Sequence, residues 1–180
     1  MAENRIILIY KSSTGFTKRY AEMIADETSC DLIDHKAATA EMLSKYDTVI
    51  FGSRAHAGMI DGYKKIKKLF EESKARKFIL FVTGATPNDA GDVIEAFWKQ
   101  NLTDEELSEI PHFYMQGGLC YEKMSFGDKL MMKAAAHMMK KKKDKSPYDK
   151  ELEQAVSISC SYDISSKKYI EPLLSFLNEA

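Results

Sequence analysis

Apolar residues recur along this chain in two rhythms. Ile6 to Tyr10, Asp47 to Ser53 with Val49-Ile50-Phe51 at its centre, Lys77 to Val82 and Ile110 to Met115 are short runs rich in β-branched or aromatic residues. Each is too short for a helix and predicts a strand, the first three buried on both faces. A brief apolar pair inside Asp31 to Asp34 predicts one more. Between them the spacing changes: Phe16, Tyr20, Met23 and Ile24 fall on one face of a helix, and Ile66, Leu69 and Phe70 do so within Asp61 to about Lys74. In the latter, Lys64, Lys65, Lys67 and Lys68 form the solvated face. Asp92 to Asn101 predicts a further helix, and Ala37 to Tyr46 is helix-like in composition. Strands alternating with helices imply right-handed βαβ units. The expected fold is α/β, a doubly wound five-stranded parallel sheet with helices on both faces, in one domain spanning 1–180.

Open sheets of this kind bind ligands past the carboxyl ends of their strands. Three loops of small polar residues leave that edge: Ser12 to Thr17, Ser53 to Met59, and Thr83 to Gly91. The first lies between a strand end and a helix start, where unpaired backbone N–H groups and the positive end of the helix dipole favour an anion. Ser12, Thr14 and Thr17 add hydroxyl donors, and Gly15 lets the backbone bend and approach a ligand. A phosphate monoester suits such a cradle. The plainer alternative is a well-capped turn, since Ser and Thr are ordinary N-cap residues. One glycine is too few for a nucleoside-triphosphate loop or a dinucleotide fingerprint. No thiol marks a cysteine phosphatase, and no acidic cluster marks a phospho-acceptor domain.

Composition narrows the function classes. The 180 residues are 44% hydrophobic and 29% charged, as in a globular protein with one substantial core. A formal net charge of −1 argues against a nucleic-acid binder, which needs a basic excess. Cys30, Cys120 and Cys160 are scattered and form no Cys-x-x-Cys pair, so neither a disulfide framework nor a thiol-bound metal is expected. Each reads as a small core residue. With no charged-then-apolar leader and no long apolar run, the expected location is cytoplasmic.

The pattern Ser/Thr-x-Thr-Gly-x-Thr directly after a buried first strand resembles the phosphate loop of the flavodoxin superfamily. The five strands and three loops are similar to that family across the first two-thirds of the chain. The resemblance implies FMN as cofactor. Its phosphate would lie against Ser12, Ser13, Thr14, Gly15, Phe16 and Thr17. Its ring would lie between Ser53, Arg54, Ala55, His56 and Ala57 on one side and Thr83, Gly84, Ala85 and Asn88 on the other. Many flavodoxins clamp the ring between aromatics from these two loops. Neither loop here has one, and Tyr63, Trp98 and Tyr121 are the candidate substitutes.

A helical insertion is expected at about 117–152. Lys129, Lys133, His137 and Lys140 form one narrow polar stripe. Leu130 to Met132, Ala134 to Ala136, Met138 and Met139 cover the rest, ahead of Lys141 to Lys143. This order of features, with a last helix near Tyr169 to Asn178, resembles the quinone-dependent protoporphyrinogen oxidase branch of the superfamily. The resemblance implies a redox enzyme acting on a porphyrinogen or quinone, with peripheral membrane contact through 126–143. Two other readings stay open: an electron carrier between protein partners, and a non-redox binding protein on the same fold. His56 and His137 have no identifiable partner in the sequence, and no catalytic residue is assigned. Arg54 is either a fixed cation beside the ring or half of a surface ion pair. The oligomeric state stays open.

Overall fold

The computed structural model describes residues 5–140, 150 and 161–179. In chain order it places β1 (Ile6–Tyr10), α1 (Phe16–Thr28), β2 (Asp31–Asp34), α2 (Ala40–Leu43), β3 (Thr48–His56) and β4 (Met59–Ile60). α3 (Tyr63–Glu71), β5 (Lys77–Gly84), α4 (Gly91–Asn101), α5 (Asp104–Glu109) and β6 (His112–Gln116) follow. The remaining elements are β7 (Gly118–Leu119), α6 (Phe126–Lys140), β8 (Tyr162–Asp163) and α7 (Glu171–Glu179). The central sheet runs β2-β1-β3-β5-β6, parallel throughout, with β4 as a short antiparallel addition to β3. This is the expected doubly wound α/β fold. Strand order reverses at β1 and β3, so the crevice between their carboxyl ends is where a ligand belongs.

Each central strand divides its side chains between two cores, because successive residues point to opposite faces. Ile7, Ile9, Val49, Phe51, Phe78, Leu80 and Val82 join Leu43, Ile66 and Trp98 on one face. Leu8, Ile50, Ile79 and Phe81 meet Tyr20, Ile24, Ile170 and Leu173 on the other. Continuous apolar runs are therefore required, and alternation would have left one face polar. Gly52 belongs to this packing, since a Cβ there would stand 2.1 Å from the Phe81 ring.

Several boundaries differ from expectation. Ala37 to Tyr46 holds only the four-residue α2, because the Thr39 side chain accepts the Met42 N–H and caps the helix late. The segment Ser53 to Met59 is a hairpin: β3 continues to His56, Ala57 (φ 50) and Gly58 (φ 77) turn, and β4 returns along it. Two positive φ values in succession match the twist of a two-residue hairpin. α3 starts two residues late, after Gly62 at φ 79. α5, held by a Thr103/Glu106 capping box, and the β7–β8 ribbon were not anticipated.

Within the expected insertion, α6 is present, with Met132 and Ala136 packed near Leu119 and Tyr162. Lys133 and His137 lie on its exposed side as expected, but Phe126 (85% exposed) and Leu130 (61%) also face outward. Lys141 to Lys143 and Cys160 fall outside the described residues. No helix among the described residues is long and apolar enough to cross a membrane.

Candidate functional site

The loop after β1 brings backbone donors to the crevice. Gly15 is the N-cap of α1 at φ 104, a left-handed conformation suited to glycine, and the cap makes no side-chain hydrogen bond. The helix has no acidic residue in its first turn. Ser12 Oγ accepts the Gly15 N–H at 3.2 Å, which folds the loop and leaves the hydroxyl proton free to donate elsewhere. Thr14, Phe16 and Thr17 line a cavity of about 740 Å³ that opens here. Thr17 is buried, and its hydroxyl is 2.7 Å from that of Thr83, tying the first loop to the third.

The second and third loops form the next walls. Arg54, Ala55, His56, Ala57, Thr83, Gly84 and Ala85 all line the cavity. Ser53 does not: it is fully buried and donates to the Asp61 carbonyl, holding the hairpin. Asn88 also stands back from the lining. Its side chain donates to the Tyr114 carbonyl (3.0 Å) and accepts the Gln116 N–H (2.7 Å), while its own N–H goes to Gln116 Oε1 (2.8 Å). Asn88 thus clamps the third loop to β6. Ser12, Ser13 and Gly15 shape the corner without lining the main chamber.

A chain of charges runs along the β3 wall. Lys11 Nζ lies 2.7 Å from Asp61 Oδ1, and Arg54 Nε lies 3.2 Å from Asp61 Oδ2. Arg54 Nη1 reaches Asp128 Oδ2 at 3.4 Å, and His56 Nε2 is 2.7 Å from Asp128 Oδ1. Burial pushes both aspartate carboxyls up, but their partners outweigh it. Asp61 is held below the ordinary range by Lys11 and Arg54. Asp128 is held below it by His56, Arg54 and Ser125. Arg54 therefore reaches the cavity already paired with two carboxylates, and His56 has a partner after all. That partner sits on α6, so the insertion forms part of the site.

A flavodoxin-domain profile matches residues 7–146. The chain belongs to the flavodoxin family. FMN is the cofactor of this domain, and the cradle described above fits it: an uncapped helix start, hydroxyls, and a glycine that keeps side-chain bulk out. Among solved structures, a flavodoxin, WrbA-like protein from Agrobacterium tumefaciens is similar, at 21% identity over 70% of this chain and 88% of that one, TM-score 0.41. A flavoprotein in complex with FMN from Lactobacillus acidophilus is 15% identical over 63% and 93%, TM-score 0.43. Rubredoxin oxygen:oxidoreductase from Desulfovibrio gigas is 16% identical over 87% of this chain and 37% of that one, TM-score 0.41. No curated protein matches the chain.

In this flavodoxin domain the aromatic candidates are redistributed. Tyr63 is buried and donates to Glu106, Trp98 is buried against Phe97 and His112, and Tyr121 lies under the Lys129 ammonium. None of the three lines the cavity, whereas Phe16, Phe97 and Tyr114 do. Gly84 admits Tyr114, whose hydroxyl would stand 2.3 Å from a Cβ there. The sequence reading missed Phe97, Tyr114, Asp128, Met131 and Met132. For the first two, a helix or strand position at the sheet edge was a usable signal. For those on α6, nothing in the spacing reveals the contact.

Proposed function

We propose that this chain is an FMN-dependent oxidoreductase that acts directly on a small planar molecule, a quinone or a porphyrinogen, held in the same cavity as the flavin. The observation carrying this reading is the His56–Asp128 pair in the cavity wall, supplied jointly by β3 and α6. A carrier that only passes electrons between proteins has no need of a proton-handling group there. An ionised carboxylate only accepts, so Nε2 carries the hydrogen and Nδ1 is the ring's acceptor. Nδ1 has no hydrogen-bond partner among the described residues. Asp128 thereby fixes the tautomer and turns the ring, as an orienting carboxylate does for a general base.

Bound FMN supplies the electron chemistry, and the protein supplies position, water exclusion and the proton. The residues proposed to hold it are Ser12 to Thr17 at the phosphate, and Arg54 to Ala57 with Thr83 to Ala85 at the ring. Val93, Phe97, Met131 and Met132 give the chamber an apolar wall suited to a second flat molecule. Stopped-flow reoxidation of the reduced holoprotein by a soluble benzoquinone tests this. Measured at saturating FMN so that every chain carries flavin, His56→Gln should slow that step about 10²-fold. An unchanged rate would favour the carrier reading.

The outward-facing Phe126 and Leu130 support a second proposal, peripheral contact of α6 with a membrane surface. Sedimentation with anionic vesicles tests it: the wild-type chain should pellet with them and the Phe126→Ser, Leu130→Ser variant should not, and a wild-type chain that stays in solution would refute the contact. A cytoplasmic location is part of the same reading.

A further inference from the structure

Lys123 ends a short 3-10 turn, Tyr121–Lys123, at the start of the insertion. Its ammonium nitrogen lies 4.0 Å from where a Cβ would sit on Gly15, the N-cap of α1. A cation is unfavourable at the positive end of a helix dipole unless an anion lies between them. Other charges nearby do not account for the placement. Lys18 pairs with Glu22 at 3.6 Å and Arg19 with Asp163 at 2.5 Å. Glu122, next in sequence, accepts from Ser161 instead. Lys123 has no carboxylate partner among the described residues. The turn that presents it is anchored from both sides, by the Tyr121 N–H donated to Ser161 Oγ (2.8 Å) and by Lys129 over the Tyr121 ring (5.0 Å).

We propose that Lys123 is a phosphate-contacting residue, reaching from the insertion over the α1 N-terminus to the phosphate of FMN. The inference rests on the FMN reading and goes beyond it. It assigns part of phosphate recognition to a side chain outside the loop after β1, and it makes the phosphate a tie between that loop and the insertion. Two consequences follow. The chain discriminates FMN from riboflavin partly through this one charge, and FMN steadies the segment from Leu119 to Ala136 where riboflavin does not.

The test is equilibrium titration of the full chain with FMN and, separately, with riboflavin, followed by quenching of flavin fluorescence at low salt. Lys123→Met should raise the Kd for FMN on the order of tenfold and leave that for riboflavin unchanged, whereas Lys123→Arg should keep most of the preference. Hydrogen exchange across Leu119 to Ala136 should slow with FMN in the wild type and much less in Lys123→Met. Wild-type preference for FMN that survives intact in Lys123→Met would overturn the role of Lys123 alone. A wild-type chain that binds FMN no better than riboflavin would overturn the phosphate corner itself, and this inference with it.

Discussion

Replacing Asp128 by Ala separates the insertion from the sheet it leans on. The Asp128 side chain is 9% exposed and receives His56 Nε2 at 2.7 Å and Arg54 Nη1 at 3.4 Å. A hydrogen bond to a charged group contributes about 1.5–3 kcal/mol. The His56 contact is short enough to claim most of that. The Arg54 contact lies at the outer limit of bonding, and Arg54 keeps Asp61 at 3.2 Å, so its loss adds little. The expected cost is about 2 kcal/mol, a factor of about 30 in the opening equilibrium of α6. Because α6 otherwise rests on the small cluster around Leu119 and Ala136, the cost should be local. Native-state hydrogen exchange reads it: amides of β7 and α6 should exchange about 30-fold faster, while those of β1, β3 and β5 hold. Unchanged exchange in α6 would refute the latch. Equal acceleration in the central sheet would show that Asp128 supports the whole fold instead.

Three further outcomes follow from the structure. Gly52→Ala should cost at least about 1–3 kcal/mol in denaturant unfolding, since its Cβ would collide with the buried Phe81 ring. Asn88→Ala should remove the clamp between the third loop and β6 at a cost of about 2 kcal/mol, read as faster exchange of the Gln116 amide. Acid should loosen the latch first: the folded-state carboxyls of Asp61 and Asp128 lie below their unfolded value of about 3.9. Their stabilisation is therefore complete above that value and lost as pH falls through the lower folded one. Protection factors in α6, corrected for the intrinsic pH dependence of amide exchange and measured from pH 5 down to pH 2.5, should fall across that window in the wild type, and less in Asp128→Ala.

β1 and β2 were legible to the residue as short apolar runs, and α1 was legible as a helix from its apolar spacing, while its first turn, Phe16 and Thr17, was read as part of the loop. The parallel sheet followed from the alternation of elements. β3 was read three residues short because Arg54-Ala55-His56 carries no apolar signal, and Ala57 is not a residue whose identity announces a positive φ. α5 had a usable signature, Thr103-x-x-Glu106, in a segment left unassigned. The three loops meet around one cavity, as their common place at the sheet edge implies. Asn88 and Ser53 lie on two of these loops, yet their side chains turn to backbone partners, a choice set by tertiary geometry. The pairing of His56 with Asp128 spans 72 positions and depends on how α6 crosses the sheet edge, which no local pattern encodes.

Amide chemical shifts of the ¹⁵N-labelled chain titrated with FMN address the central claim most directly. The account predicts saturable shifts that are largest at Gly15, Phe16 and Thr17, with smaller ones along Arg54 to Ala57 and Thr83 to Ala85. Saturable FMN binding that leaves Gly15 to Thr17 unmoved would contradict it.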